Sequence, residues 1–174
     1  MNPRPADRIM GAAVELVRAG PADAETVALI VTAPGVVERW TAVAVDELID
    51  DLAIDDGTYA AYLIHALGEV VGMIQYGVEA DPQYRHAGID VAIRRAWQRR
   101  GIGTDAIRTL ARHLIADMGH HRLVIDPASD NAAAIECYER LGFRRVGVMR
   151  RYERGPDGTF HDGLLMDLLA GELL

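Results

Sequence analysis

The spacing of apolar positions changes along the chain, and each change predicts a new element. Two runs rich in Tyr, Ile and Val, Thr58–Ala66 and Val70–Val78, flank the turn-forming Leu67-Gly68-Glu69 and predict a β-hairpin. Farther along, apolar residues recur at intervals of three and four, which is typical of a helix with one buried face. These residues are Ile107, Leu110, Ala111, Leu114, Ile115 and Met118. The pattern therefore switches from strand to helix near residue 100.

The remaining predicted elements continue an alternation of strands and helices. Strands are predicted over Val14–Arg18, Gly88–Trp97, Arg122–Asp126, Arg145–Arg151 and Gly163–Leu169. Residues 22–56 are helical in character with a break at Pro34-Gly35, and a last helix follows the capping candidates at 129–131 and ends at Gly142. The order β-α-α-β-β-β-α-β-α-β-β predicts a single α/β domain over residues 1–174, with a mixed sheet and a parallel βαβ crossover in its second half.

The charge balance and the single cysteine narrow the class of protein. The 174 residues carry 26 Asp and Glu against 18 Lys and Arg, a formal net charge of −8, which argues against nucleic-acid binding and favours a cationic small-molecule substrate. No apolar stretch is long enough to span a bilayer, and Met1–Pro5 lacks the apolar core of a secretory signal. Cys137 has no partner for an internal disulfide. We expect a cytoplasmic protein without membrane contact, either a monomer or a homodimer.

A glycine-containing loop lies between the strand predicted to end at residue 97 and the helix that follows. It reads Gln98-Arg99-Arg100-Gly101-Ile102-Gly103-Thr104. Glycines let backbone N–H groups approach a ligand without interference from a Cβ atom, and the helix N-terminus adds partial positive charge. The loop lacks the three spaced glycines of a dinucleotide fingerprint and the Gly-Lys-Ser/Thr of a P-loop. It predicts a phosphate site, with a plain glycine turn beside two solvated arginines as the alternative.

A second motif, Asn131-x-x-Ala134-x-x-x-Tyr138-x-x-x-Gly142-Phe143, follows the loop at the distance of one helix and one strand. Together the two motifs resemble the GNAT superfamily of acetyl-CoA-dependent N-acetyltransferases. The resemblance implies a GNAT fold, in which helices flank a twisted mixed sheet and two parallel strands splay apart at the acetyl-CoA site. It also implies that the glycine loop holds the pyrophosphate of acetyl-CoA.

The resemblance assigns cofactor contacts residue by residue. The edge of the strand before the loop would pair with the pantetheine amides, while the loop and the second motif would contact the rest of the cofactor. The residues so assigned are Val91, Ala92, Ile93, Gln98, Arg99, Arg100, Gly101, Ile102, Gly103, Thr104, Asn131, Ala134 and Tyr138. Tyr138 also occupies the position of the superfamily tyrosine that protonates the departing thiolate, with aromatic packing as its alternative role.

A more specific likeness is to the aminoglycoside 6′-N-acetyltransferases. Asp90, within Gly88-Ile89-Asp90, and Asp126, within Ile125-Asp126-Pro127, look like two aspartates of that subgroup. The resemblance implies that Asp90 is the general base and that Asp126 binds the amine. Gln75 sits where the subgroup has a substrate-side glutamine, and we add Glu79 and Asp81 as further substrate-binding candidates. Residues 77–84 lack the subgroup's tryptophan pair, and the N-terminal third matches poorly, so the acceptor pocket departs from the subgroup.

Acetyl transfer explains why carboxylates are needed. An amine of pKa about 10 is unprotonated only about once in a thousand at neutral pH, and a carboxylate can hold the ammonium and accept its proton, directly or through a water. For Asp90 the alternative is a surface ion pair with Arg85 or Arg94, and for Asp126 a cap on the next helix. Cys137 lacks an adjacent histidine, so we expect direct transfer rather than an acyl-cysteine intermediate.

Two further features leave alternatives open. The acidic run from Asp46 to Asp56 is either a solvated helix face or the border of an acceptor cleft that attracts polycations. The six histidines show no metal-ligand spacing with cysteine or acidic partners, and we expect no metal.

Three functions are compatible with the sequence. The first is acetylation of the 6′-amine of an aminoglycoside antibiotic, which would confer resistance. The second is acylation of another amine, such as a protein N-terminus, a lysine side chain or a lysine-derived siderophore precursor. The third is a regulatory module that only binds acyl-CoA, although Asp90, Asp126 and Tyr138 would have no task in it.

Overall fold

Eight strands pair edge to edge in a mixed sheet in the computed structural model, which describes residues 3–40 and 44–174. The strands are β1 (Arg8–Met10), β2 (Glu15–Arg18), β3 (Tyr59–Ala66), β4 (Glu69–Glu79), β5 (His86–Ile93), β6 (Arg122–Ile125), β7 (Arg144–Arg154) and β8 (Phe160–Leu169). The helices are α1 (Ala24–Val31), α2 (Val45–Leu52), α3 (Ile102–Ala116) and α4 (Ala132–Arg140). The strand order is β1-β2-β3-β4-β5-β6-β8-β7.

The pairing of β5 with β6 differs from every other pairing in this sheet. It is parallel, as a β5-α3-β6 crossover requires, while the other neighbours are antiparallel. Only two residue pairs join these strands, Ala87 with Leu123 and Gly88 with Val124. Beyond them β5 continues to Ile93 with no partner strand on this side, so the two strands splay apart. The predicted mixed sheet and its splayed parallel pair are confirmed.

Two apolar clusters cover the two faces of the sheet. Residues of β3 alternate between them: Tyr62 and Ile64 pack in the cluster that contains α3, while Ala61 and Leu63 pack in the cluster that contains α1 and α2. Because both faces are covered, the strand is apolar along nearly its whole length rather than alternating with polar residues. This is why the hairpin of β3 and β4 is conspicuous in the sequence.

A buried carboxylate fixes α3 against the N-terminal strands. Asp105, 8% exposed, accepts hydrogen bonds from the backbone N–H groups of Ala12 (3.3 Å), Ala13 (2.7 Å) and Val14 (3.1 Å). Buried donors need partners, so the β1–β2 turn is held in place by the helix that follows the glycine loop.

Several predicted boundaries are wrong, each for a local reason. The strand predicted over Gly88–Trp97 ends at Ile93, because residues 95–97 form a single 3-10 turn. The helical stretch 22–56 contains α1 and α2 with turns after residue 32, and its residues 41–43 lie outside the described part of the chain. The strand β1 went unpredicted because its three residues are too few for a pattern. The predicted strand Arg145–Arg151 extends to Arg154, since side chains along β7 are mostly solvent-exposed and carry no apolar signal.

Candidate functional site

A cavity of about 2610 Å³ opens where β5 and β6 diverge. The free edge of β5, from Ile89 to Ile93, forms its floor, and the first turns of α3 and nearly the whole of α4 line it. Residues 35–40 and the outer part of the β7–β8 hairpin complete its lining. Small-molecule pockets usually measure about 300–1,000 Å³. This cavity therefore has room for a large cofactor together with a second substrate.

The glycine loop presents the first turn of α3 to the cavity. Gly101 has φ +79°, a left-handed conformation that favours glycine, and it immediately precedes the helix. The first N–H groups of a helix have no partners within that helix, so they are available to an anion. A Cβ atom on Gly103 would contact only Ile93 Cγ1, at 3.6 Å. Packing within the protein does not require glycine at 103, whereas close approach of a ligand would.

Not all predicted loop residues face the cavity. The Gln98 side chain donates to the backbone oxygens of Ile93 (2.8 Å) and Gly35 (3.2 Å), which ties the loop to the end of β5. The Arg100 guanidinium lies over the Trp97 ring, 5.1 Å from its centroid, and Ile102 is buried in the core. Among the predicted cofactor contacts, Arg100 and Ile102 are absent from the cavity lining, while the remaining loop positions contribute to it.

The second motif forms α4, on the wall beside α3. Asn131 caps this helix by accepting a hydrogen bond from the Ala134 backbone N–H at 3.3 Å. Cys137 Sγ lies 3.0 Å from Thr104 Oγ1, a contact that joins the helix to the start of α3. The predicted residues Val91, Ala92, Ile93, Asn131, Ala134 and Tyr138 all line the cavity.

Tyr138 is buried, with 7% of its surface exposed, yet it lines the cavity. Its ring packs near Phe143, with centroids 6.1 Å apart, so the packing role foreseen as an alternative is also present. Burial raises the pKa of the Tyr138 phenol above its usual value, and the charges of Asp90 and Asp126 add to the effect. The hydroxyl therefore keeps its proton at neutral pH.

Asp90 lies on β5 directly opposite Gln75 of β4, whose side chain donates to it at 3.2 Å. Water reaches the carboxylate, but the cavity walls surround it with protein, and this burial raises its pKa. The Gln75 hydrogen bond opposes that shift, while the negative charges of Asp126 and Glu153 add to it. The alternative ion pair with Arg85 does not form, because Arg85 donates instead to backbone oxygens of residues 118 and 119.

Asp126 and Glu153 complete an acidic group around the cavity. Asp126 follows β6 and accepts a hydrogen bond from Tyr152 of β7, which raises the pKa of Tyr152 to about 12. Burial raises the pKa of Glu153, and the charge of Asp126 raises it further. Asp126 is not the cap of α4, since Asn131 has that position. Within residues 3–40 and 44–174, none of Asp90, Asp126 and Glu153 takes part in an ion pair.

Sequence reasoning missed Tyr152 and Glu153, and it proposed two acidic residues that lie elsewhere. Tyr152 and Glu153 belong to an exposed, arginine-rich strand whose pattern gives no hint of a cavity. Glu79 and Asp81 are absent from the cavity lining: Asp81 accepts from the Gln83 N–H (2.9 Å) and Glu79 from the Asp81 N–H (3.0 Å). These two carboxylates stabilise the turn after β4.

The acidic helix α2 is a solvated face. Its buried residues are Leu48 and Leu52, and its carboxylates point to solvent. Among the described residues, no group of His, Cys, Asp and Glu has the arrangement of a metal site, and no helix has the length and apolarity needed to cross a membrane.

Comparison with known proteins gives relatives of two kinds. The kanamycin resistance protein of Rhizobium radiobacter is 38% identical over 81 residues, 46% of this chain and 69% of that protein. The aminoglycoside N(6′)-acetyltransferase type 1 of Klebsiella pneumoniae is also 38% identical over 81 residues, 46% of this chain and 37% of that protein. The [ribosomal protein bS18]-alanine N-acetyltransferase of Escherichia coli is 35% identical over 82 residues, 45% of this chain and 52% of that protein. The chain thus spans about a third to two thirds of these relatives.

Solved structures extend the likeness to the whole fold. A spermidine N-acetyltransferase SpeG chimera from Vibrio cholerae and hSSAT superimposes with a TM-score of 0.80 at 18% identity, covering 92% of this chain and 97% of that one. The ribosomal-protein-S5-alanine acetyltransferase of Vibrio fischeri gives 0.81 at 12% identity, covering 97% and 100%. RimL, solved in complex with coenzyme A, gives 0.75 at 19% identity, covering 91% and 94%.

The residues present fit the cofactor of this fold. An open strand edge, a helix N-terminus with free N–H groups, and a glycine whose missing Cβ no protein contact explains lie along one cavity. Residues 25–143 match the acetyltransferase (GNAT) family profile. The chain belongs to the GNAT family of N-acetyltransferases, which use acetyl-CoA as the acetyl donor.

Proposed function

We propose that this chain transfers the acetyl group of acetyl-CoA directly to an amine of a polycationic aminosugar, of the kind represented by the 6′-amine of an aminoglycoside. The observation that carries the proposal is the convergence of Asp90, Asp126 and Glu153 on one cavity, with neutral hydrogen-bond donors beside the first two. A substrate with several ammonium groups would neutralise this charge, which a neutral or anionic acceptor would not.

Each residue then has a distinct task. Acetyl-CoA supplies an activated acetyl thioester. Asp126 holds the acceptor as its ammonium form, and Asp90 takes the proton that the amine must lose before it attacks. Tyr138 gives its proton to the departing sulfur, so that the proton lost by the amine and the proton gained by the thiol balance over one cycle. Glu153 binds a second ammonium of the acceptor through charge.

The position of Asp90 suits a base. Its pKa is raised by burial, which makes the carboxylate a better proton acceptor at neutral pH than an ordinary surface aspartate. The relatives named for kanamycin resistance and aminoglycoside acetylation support the choice of substrate. The matched segment covers 46% of this chain.

A peptide N-terminus is the second candidate, because relatives at 35% identity are named for acetylating a ribosomal protein alanine. The deciding experiment follows CoA release by the full chain with kanamycin- and tobramycin-like aminoglycosides, linear polyamines, and peptides that begin with alanine. We expect kcat/KM to be highest for the aminoglycosides. Activity confined to the peptides would overturn the substrate and leave the family assignment intact.

The base is tested with Asp90→Asn, for which we expect kcat to fall by roughly 10²–10⁴. Asp81→Asn is the matched control, since this carboxylate follows β4 outside the cavity and its variant should keep wild-type turnover. In the native chain, kcat/KM should rise with pH as Asp90 loses its proton, with a midpoint above the usual pKa of an aspartate. Wild-type turnover in Asp90→Asn would assign the base to another group.

A further inference from the structure

We propose that Tyr59 is a positioning residue for the acetyl transfer: its hydroxyl fixes the side-chain amide of Gln75 so that the amide NH₂ points at Asp90. The proposal rests on the proposed function in one respect, the role of Asp90 as base. It also changes the task of Gln75, which resemblance placed on the substrate side.

The three side chains form a chain of hydrogen bonds across three neighbouring strands. The Tyr59 hydroxyl donates to Gln75 Oε1 at 2.9 Å, and Gln75 Nε2 donates to Asp90 Oδ2 at 3.2 Å. Gln75 lies opposite Ala61 on β3 and opposite Asp90 on β5, while Tyr59 is two residues before Ala61. Side chains two residues apart on a strand share a face, so this register brings all three to the face of the sheet that α1 and α2 cover.

The direction of each bond follows from the chemistry of the groups. An ionised carboxylate can only accept, so Gln75 must turn its NH₂ group towards Asp90. The amide oxygen then faces Tyr59, which must donate. Burial, together with the negative charges of Asp51 and Asp90, raises the pKa of Tyr59 to about 12, so its hydroxyl keeps the proton that it donates. Without this anchor the amide could rotate and present its oxygen to Asp90, where two acceptors would repel.

Several charged and titratable groups lie around Asp90 and interact with it. Asp126 after β6 and Glu153 on β7 raise its pKa, and Gln75 on β4 lowers it. Two phenols, Tyr138 of α4 and Tyr152 of β7, also feel the charge of Asp90. From α2, Asp51 acts on Tyr59. Among these groups, the Gln75 hydrogen bond is the influence that favours the ionised base, which is why its orientation matters.

The test is the acid limb of the kcat/KM profile of Tyr59→Phe. Loss of the anchor weakens the hydrogen bond that favours the carboxylate, so the limb should move to higher pH by about 0.5–1 unit. Gln75→Leu should move it in the same direction, and adding Tyr59→Phe to Gln75→Leu should have no further effect. Tyr62→Phe is the matched control: its buried hydroxyl lies on the same strand and has no hydrogen-bond partner among the described residues, so its profile should match the native one.

A second measurement distinguishes a failure of this proposal from a failure of the proposed function. Titration of the Asp90 carboxyl carbon by NMR in the ligand-free protein reports the same shift without any turnover. If Asp90→Asn stays active but Tyr59→Phe still raises the pKa of Asp90, the base assignment fails, and with it the role of Tyr59 in the transfer, while the orientation of Gln75 by Tyr59 stands. If Tyr59→Phe leaves the Asp90 titration unchanged, or shifts it equally in the Gln75→Leu background, the positioning role is overturned.

Discussion

The proposed cofactor side and the proposed acceptor side of the cavity are built by different means. The proposed cofactor side consists of β5, the glycine loop, α3 and α4, all within residues 86–140, where a free strand edge and a helix N-terminus offer backbone groups. On the proposed acceptor side, Gln75, Asp90, Asp126 and Glu153 come from four separate segments and contribute side chains, and Tyr59 supports Gln75 from outside the lining. A site made of backbone leaves a local sequence motif, whereas a site made of distant side chains leaves none.

This difference has a consequence for substrate choice. Backbone geometry can be retained while side chains change, so one cofactor platform can serve acceptors as unlike as an aminosugar and a protein N-terminus. The relatives of this chain include both kinds. Substitutions on the cofactor side should therefore change cofactor affinity or turnover. Substitutions on the acceptor side should change acceptor affinity.

The largest expected effect is on turnover, at the point where the two sides meet. Tyr138→Phe removes the proton donor without removing the ring that packs near Phe143, so kcat should fall by roughly 10²–10⁴ while CoA affinity stays within about twofold. CoA release gives kcat, and calorimetry gives the affinity. Tyr84→Phe, an exposed tyrosine outside the cavity lining, is the control. Native turnover in Tyr138→Phe would mean that water or another group protonates the sulfur.

On the cofactor side alone, Gly103→Val should weaken CoA binding by tenfold or more, which is about 1.4 kcal/mol. The added Cβ meets only Ile93 Cγ1 among the described residues, at an ordinary contact distance of 3.6 Å, so the fold should tolerate the substitution while the ligand cannot approach the backbone. Gly147→Val is the control, because position 147 lies on β7 outside the cavity lining and also has open space around it. Equal CoA affinity in folded Gly103→Val would remove the loop from the cofactor site.

On the acceptor side, Asp126→Asn should raise KM for an aminoglycoside by about 10–100-fold, the equivalent of a lost charge-assisted hydrogen bond, with a smaller change in kcat. Added salt should lower kcat/KM of the native chain, because exposed attraction is screened beyond about 8–10 Å. Asp50→Asn on the solvated face of α2 should leave KM unchanged. A raised KM in Asp50→Asn instead would bring that helix into acceptor binding.

The smallest expected effect is on the free energy of unfolding. It distinguishes the pH dependence of folding from the pH dependence of turnover. His120, which follows α3, is 1% exposed with no hydrogen-bond partner for either ring nitrogen among the described residues. Burial, with the positive charges of Arg85, His121 and His86, lowers its pKa from 6.5 to about 4. The unfolded chain then binds the proton more readily, so stability should fall as the pH drops from about 6.5 to 4.

Urea unfolding at several pH values measures this dependence. His120→Asn should flatten the decline between pH 6.5 and 4, whatever its effect on stability at neutral pH. His121→Asn is the control, because that neighbouring side chain is exposed. An unchanged slope in His120→Asn would place the acid sensitivity of folding in other groups.

Residue order alone predicts the features that depend on spacing along the chain. Apolar spacing predicted β3, β4 and α3, and the glycine loop with the Asn131 to Phe143 motif predicted the family and the position of the cofactor. Asp90 and Asp126 were predicted only through a resemblance, and the structure brings both to the cavity. The elements and the family could be predicted because periodicity and backbone geometry require particular residues at fixed spacing, whereas the roles of Asp90 and Asp126 stay predictions.

Which side chains meet depends on how the strands pair and pack. Tyr59 and Asp90 are 31 positions apart in sequence, and register across β3, β4 and β5 joins them through Gln75. The β7–β8 hairpin brings Tyr152 and Glu153 to the cavity although their strand is exposed and arginine-rich, while Glu79 and Asp81 turn away from it. Strand register and hairpin placement depend on the packing of the whole sheet, and no local pattern of residues encodes them.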